Sequence, residues 1–120
     1  MFSLTSSLRY FLYRPPADMR KGIDGLGGLV RNAMGGDPLS GDAFIFINRR
    51  RNQIKLLVWD RTGFVVLHKR LERGTFELPA DPKDGLSMTV RWDELVMILE
   101  GVRLSSVRRR KRYERDKSAA

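Results

Sequence analysis

Three consecutive arginines, Arg49-Arg50-Arg51, stand between two runs of β-forming residues, Ala43 to Asn48 and Gln53 to Asp60. A turn there would ordinarily be filled by Asn, Gly or Asp, whose backbones bend at little cost. Three like charges at a hairpin tip repel one another, and a polyanion relieves that repulsion. The chemistry these side chains suit is phosphate binding, since each guanidinium carries a planar fork of donors matched to phosphate oxygens. Lys55, Lys69, Arg70 and Arg73 are the candidates for a supporting patch. A second basic run, Arg108-Arg109-Arg110-Lys111-Arg112, lies near the end of the chain. A solvated surface with a solubilising tail is the reading that needs no ligand.

The residues that could support catalysis are sparser. Asp18, Asp24, Asp42, Asp60 and Asp93 are scattered, mostly at turns and helix starts, where a carboxylate accepts local backbone hydrogen bonds. A two-metal nuclease needs carboxylates converging on ions about 4 Å apart. Asp60, at the end of a strand, is the one placed as such ligands often are. His68 is the sole histidine, so no paired-histidine site forms within one chain. The serines lack the strained strand-to-helix turn of a hydrolase nucleophile. The glycines of Gly22-Ile23-Asp24-Gly25-Leu26-Gly27-Gly28 do not follow a strand and do not spell a dinucleotide-binding loop. No cofactor and no metal are expected.

Composition sets the frame for these residues. A chain of 120 residues, 42% apolar, holds one domain with one core. It contains no cysteine, which excludes disulfides and thiolate metal sites. No apolar run approaches the ~20 residues of a membrane span, and the N-terminus lacks a secretion signal, so a cytoplasmic protein is expected. The formal charge is +9, from 23 basic and 14 acidic residues. Residues 103–120 hold eight basic and two acidic residues, or +6, which leaves +3 for residues 1–102. The expected organisation is therefore a globular domain over 1–102 and a basic, disordered tail over 103–120. Charge so distributed points to DNA as partner.

The elements that would position these residues can be read in order. Arg9 to Tyr13 is a short strand stopped by Pro15-Pro16. A helix follows, capped by Asp18, with Ile23, Leu26, Val30 and Met34 on one face. Its four glycines weaken it by up to ~1 kcal/mol each relative to alanine, and close packing on a sheet is the expected compensation. A three-stranded antiparallel meander spans Ala43 to Leu71, turning first at Arg50-Arg51 or over Arg49 to Asn52, and then at Asp60 to Gly63, where glycine is expected at positive φ.

Those turns fix a register: Phe44 with Leu57, Phe46 with Lys55, Trp59 with Phe64, Lys55 with His68, Gln53 with Arg70. One face then holds Ile45, Ile47, Ile54, Leu56, Val58, Val65 and Leu67 as core. The other, with Phe44, Phe46, Leu57 and Phe64, is expected beneath a helix. A short edge strand is read at Thr75 to Leu78, then a second helix from a Thr89 cap through Val90 to Glu100, closed by Gly101. The fold class is α+β: an antiparallel meander packed with two helices in a single small domain.

Several segments together resemble a known family. Asp18-Met19-Arg20-Lys21-Gly22-Ile23-Asp24-Gly25-Leu26, Asn48 to Arg51 with Lys55 to Asp60, and Lys69 to Phe76 with Leu78-Pro79 are similar in kind and order to the TnpB accessory proteins of bacterial insertion sequences of the sixty-six group. Leu99-Glu100-Gly101 resembles the ending of their late helix. The resemblance implies a transposition accessory factor that assists a separate, larger transposase by binding DNA or that transposase. It carries over no catalytic residue. Three classes stay open: a non-catalytic DNA-binding or assembly factor, a metal-dependent nuclease using Asp60, and a pure protein adaptor.

Overall fold

The computed structural model describes residues 2–79 and 85–101 of the chain. Strands β1 (Tyr10–Tyr13), β2 (Ala43–Ile47), β3 (Gln53–Asp60), β4 (Gly63–Arg70) and β5 (Ser87–Val90) form one sheet in the order β4-β3-β2-β1-β5. Helix α1 (Ile23–Asn32) connects β1 to β2, and α2 (Trp92–Glu100) follows β5. The β2-β3-β4 meander is antiparallel, and its register is the one the two turns dictate, with Phe44 opposite Leu57 and Trp59 opposite Phe64. Strand β1 instead pairs parallel with β2, because a helical crossover returns the chain in the same direction, so the sheet is mixed.

Each sheet face has its own core. On one, Ile45, Ile47, Ile54, Leu56 and Val58 pack with Tyr10, Leu12, Val90 and the α2 residues Leu95 and Ile98. On the other, Phe44, Phe46 and Leu57 pack under Leu26 and Val30 of α1. The aromatic face is thus closed by a helix, as expected. Two expected core residues on β4 fall outside it: Leu67 is 37% exposed and Val65 is half-buried, since β4 is an edge strand.

Other expectations are corrected. Helix α1 is capped at Gly22 rather than Asp18, whose carboxylate accepts from the Arg20 backbone N–H in a local turn. Its glycines do not touch the sheet: a Cβ at Gly28 would meet open space, and one at Gly25 would meet the Lys21 side chain. The close approach occurs at Gly36, where a Cβ would lie 3.1 Å from the Phe44 ring. Thr89 is no helix cap; it pairs with Phe11 inside β5, and Arg91 occupies the cap position. Thr75 to Leu78 is not a strand. It holds Phe76, 1% exposed, through one backbone bond to Arg51. At the β3–β4 turn the positive φ falls on Arg61 at 50°, not on Gly63.

Candidate nucleic-acid interface

Parallel pairing of β1 with β2 brings the ends of both strands to one side of the sheet. There they join the start of β3, the end of β4 and the start of β5. Three distant segments meet at this end, each pinned by its own hydrogen bonds.

The first is the loop from Ala17 to Lys21. The Ala17 N–H donates to the Ile47 carbonyl at 2.9 Å, and the Lys21 N–H to the Asp18 carbonyl at 3.1 Å. Lys55 donates from Nζ to the carbonyls of Met19 at 2.7 Å and Lys21 at 2.9 Å. Asp18 and Arg20 form a bidentate ion pair, with Arg20 Nη2 2.8 Å from Asp18 Oδ2. The Arg20 guanidinium bonds, followed by the Arg20 backbone N–H, hold the Asp18 carboxyl at about 2, well below the usual carboxylate value.

The second is the arginine turn. The Asn48 side chain organises it. Oδ1 accepts from the N–H groups of Asn52 and Gln53, both at 3.0 Å, and Nδ2 donates to Asn52 Oδ1 at 2.7 Å. Arg51 takes φ 57°, a left-handed conformation uncommon for arginine. The third segment, Leu71 to Phe76, wraps this turn: the Leu71 N–H donates to the Asn52 carbonyl at 2.8 Å, and the Phe76 N–H to the Arg51 carbonyl at 2.6 Å. Arg49, Arg50 and Arg51 are all exposed.

The expected site residues divide at this point. Arg49, Arg50, Arg51, Arg70 and Arg73 are exposed at the same end of the sheet. Lys55 is partly buried beneath the first loop, with two of its three donors on carbonyls. Lys69 is on the α2 face, donating to the Leu99 carbonyl at 2.6 Å, where a cation meets the negative end of the helix dipole. Arg108, Arg109, Arg110, Lys111 and Arg112 lie outside the described residues, as does the whole expected tail. The described chain ends at Gly101, just beyond the turn of α2 that Lys69 contacts. Two further cations at this end, Arg20 and Lys21, were not marked as site residues. The crossover pattern of strand, helix and strand was the signal that would have placed them beside the arginine turn.

Asp60 lies at the opposite end of β3. Its backbone carbonyl, rather than its carboxylate, accepts from Thr62, through both the N–H and Oγ1. Among the described residues no three His, Asp or Glu side chains gather as a metal site would require. His68 is exposed, and its Nε2 lies 2.9 Å from Gln53 Oε1.

Residues 8–109 match the family described as IS66 Orf2 like protein. The chain belongs to that family. It is therefore an accessory protein of an insertion sequence, as the motif resemblance implied. It is 31% identical over 110 residues to the protein y4jC of Sinorhizobium fredii, covering 92% of each chain. With y4hO of the same organism it shares 28% identity over 96 residues, covering 80% of this chain and 82% of the relative. Both relatives are described as uncharacterized proteins. No solved structure gives a significant match. No described helix is long and apolar enough to cross a membrane.

Proposed function

We propose that this IS66 Orf2-like protein is a cytoplasmic, non-catalytic accessory factor in transposition that binds DNA through the basic end of its sheet and works beside the element's transposase. The observation that carries this reading is convergence. Arg20, Lys21, Arg49, Arg50, Arg51, Arg70 and Arg73 come from three segments far apart in sequence, and all stand at one end of the sheet. Their net positive field suits phosphate contacts, which supply affinity without reading sequence. Lys55 and Lys69 support the surface from beneath, by holding the first loop and the end of α2. Arg108 to Arg112 act as a second, basic arm.

The test is DNA binding across a salt series. Each phosphate neutralised contributes about 0.9 to the log–log salt slope on duplex DNA. Replacing Arg49, Arg50 and Arg51 together with alanine should flatten that slope by up to about 3. An unchanged affinity and slope would move these arginines to a transposase-facing role. Metal-dependent cleavage by the purified protein would favour the nuclease reading.

A further inference from the structure

Between the Ala17 to Met19 segment and the arginine turn lies an open cleft of about 360 Å³. Ala17, Asp18 and Met19 form one wall, and Asn48, Arg49, Arg50, Asn52 and Gln53 form the other. The walls are held rigidly for a surface feature. The lysine beneath one wall, the asparagine clamp within the other and the two backbone bonds from Leu71 and Phe76 all fix backbone at the rim. Contact with duplex phosphates alone would need only exposed arginines, not a hollow between them.

We propose that this cleft receives one unpaired base of single-stranded DNA, while the flanking phosphates rest on Arg49 and Arg50. The inference rests on the DNA-binding reading and deepens it. The space is ample for a base, whereas a base within a duplex is stacked and paired and does not enter a pocket without leaving the helix. The walls offer what a single base needs. Met19, half-buried where it packs on the α1-side core, also lines the cleft and offers apolar, polarizable surface there. Asn52 commits Oδ1 to Asn48, which leaves its Nδ2 group as a donor. Asp18 remains ionised, with both oxygens on Arg20, and that pairing offsets its repulsion of a nearby phosphate. Single-strand binders combine a basic track with places for bases in this way.

The experiment uses the full chain and fluorescence anisotropy with labelled strands of equal length: a base-bearing DNA strand, an abasic strand with the same phosphates, a fully paired duplex and an RNA strand. The base-bearing DNA strand should bind at least about tenfold more tightly than the abasic strand, a difference of about 1.4 kcal/mol. Asn52→Leu, which removes the Nδ2 donor and adds no ring for a base to stack on, should shrink that ratio towards one; because it also loses the bond from Asn48 Nδ2, the duplex salt slope of the same variant must stay unchanged to show that the arginine turn is kept. Photocrosslinking of wild-type protein to an iodouracil-bearing strand needs no variant and should mark the peptides carrying Met19 or Asn52. Equal binding of base-bearing and abasic strands, or crosslinks confined to other peptides, overturns the inference and leaves the DNA reading intact. Tighter binding of the RNA strand overturns the choice of DNA. Failure to bind any of the four overturns both readings.

Discussion

Lys55, on the third strand in sequence, donates from Nζ to the carbonyl of Met19, thirty-six residues earlier, at 2.7 Å. The bond ties the loop after β1 to the middle of the sheet, and a second bond, to Lys21 at 2.9 Å, closes the same loop from its other end. A lysine on a strand facing the aromatic side of a sheet reads from sequence as a surface charge. Here it is a strut that shapes a basic surface.

That role separates Lys55 from the arginines in a measurable way. Lys55→Met keeps the alkyl stem and loses both charged hydrogen bonds, so stability should fall by about 1–3 kcal/mol. DNA affinity should fall as the loop loosens, but the salt slope should change by less than the ~0.9 that one phosphate contributes. Thermal unfolding and a salt series on the same variant check this. An unchanged melting temperature with a slope lower by ~0.9 would make Lys55 a phosphate contact instead.

What the sequence made legible was local. Both hairpin turns fixed the β2-β3-β4 register because a turn of known length leaves few pairings that put Ile54, Leu56 and Val58 on one face. The burial of Phe44 and Phe46 under a helix followed from the same alternation. The pairing of β1 with β2 and β5 was not legible, because no turn links those strands directly. Thr89, before a helical pattern, has the local signature of a cap, but its pairing with Phe11 is a tertiary choice. The candidate site suffered from the same gap. Its arginine turn is local, while its second wall, from Ala17 to Met19, arrives only through the β1-α1-β2 crossover.

The glycines give a prediction in which two similar substitutions have opposite signs. Gly28 is inside α1, and an added Cβ meets nothing. Gly28→Ala should therefore stabilise by about 0.5–1 kcal/mol, the helix propensity difference. Gly36 is different: its Cβ would lie 3.1 Å from the Phe44 ring and 3.2 Å from Val30 Cγ1, both on the α1 face of the core. Gly36→Ala should destabilise, because the Phe44 ring and α1 must move apart. Denaturant midpoints for the two variants check the pair. A loss of stability in Gly28→Ala would mean that a Cβ at this position does meet a neighbour in the folded chain.

The Asp18–Arg20 pair has a defined pH dependence. The folded Asp18 carboxyl is lowered to about 2 from an ordinary 3.8, through its bonds to the Arg20 guanidinium and backbone N–H. A lowered folded value stabilises the loop fully above the ordinary value, and that contribution is lost as pH falls through about 2. The window is therefore about pH 4 to 2, below neutral conditions. NMR titration of the Asp18 side chain should show the low midpoint, and Arg20→Ala should return it towards the ordinary value. An unshifted midpoint in the wild-type chain would mean that the bidentate pair does not persist in solution.

The basic run beyond α2 yields the last prediction. Lys69 contacts the Leu99 carbonyl, so α2 ends beside the final turns of β4, and Gly101 takes a left-handed φ of 76° that stops the helix there. The chain leaves α2 on the side of the sheet end that carries Arg70 and Arg73, and its next eighteen or so residues bring six net positive charges. On the proposed DNA-binding reading, attachment there would give Arg108 to Arg112 a high effective concentration near DNA bound by the arginine turn. Deleting residues 104–120 should therefore weaken DNA affinity by a similar factor on unrelated sequences, since phosphate contacts carry no base information. It should also lower the salt slope by about 0.9 for each phosphate the arm engages. Combined with the triple alanine variant of the turn, the losses should fall short of the sum of the two single losses, because each site holds the DNA for the other and losing either already loosens both. A combined loss far beyond the sum would mean that arm and turn bind different DNA segments, each substituting for the other. A deletion that leaves both affinity and slope unchanged would remove the arm from the DNA contact altogether.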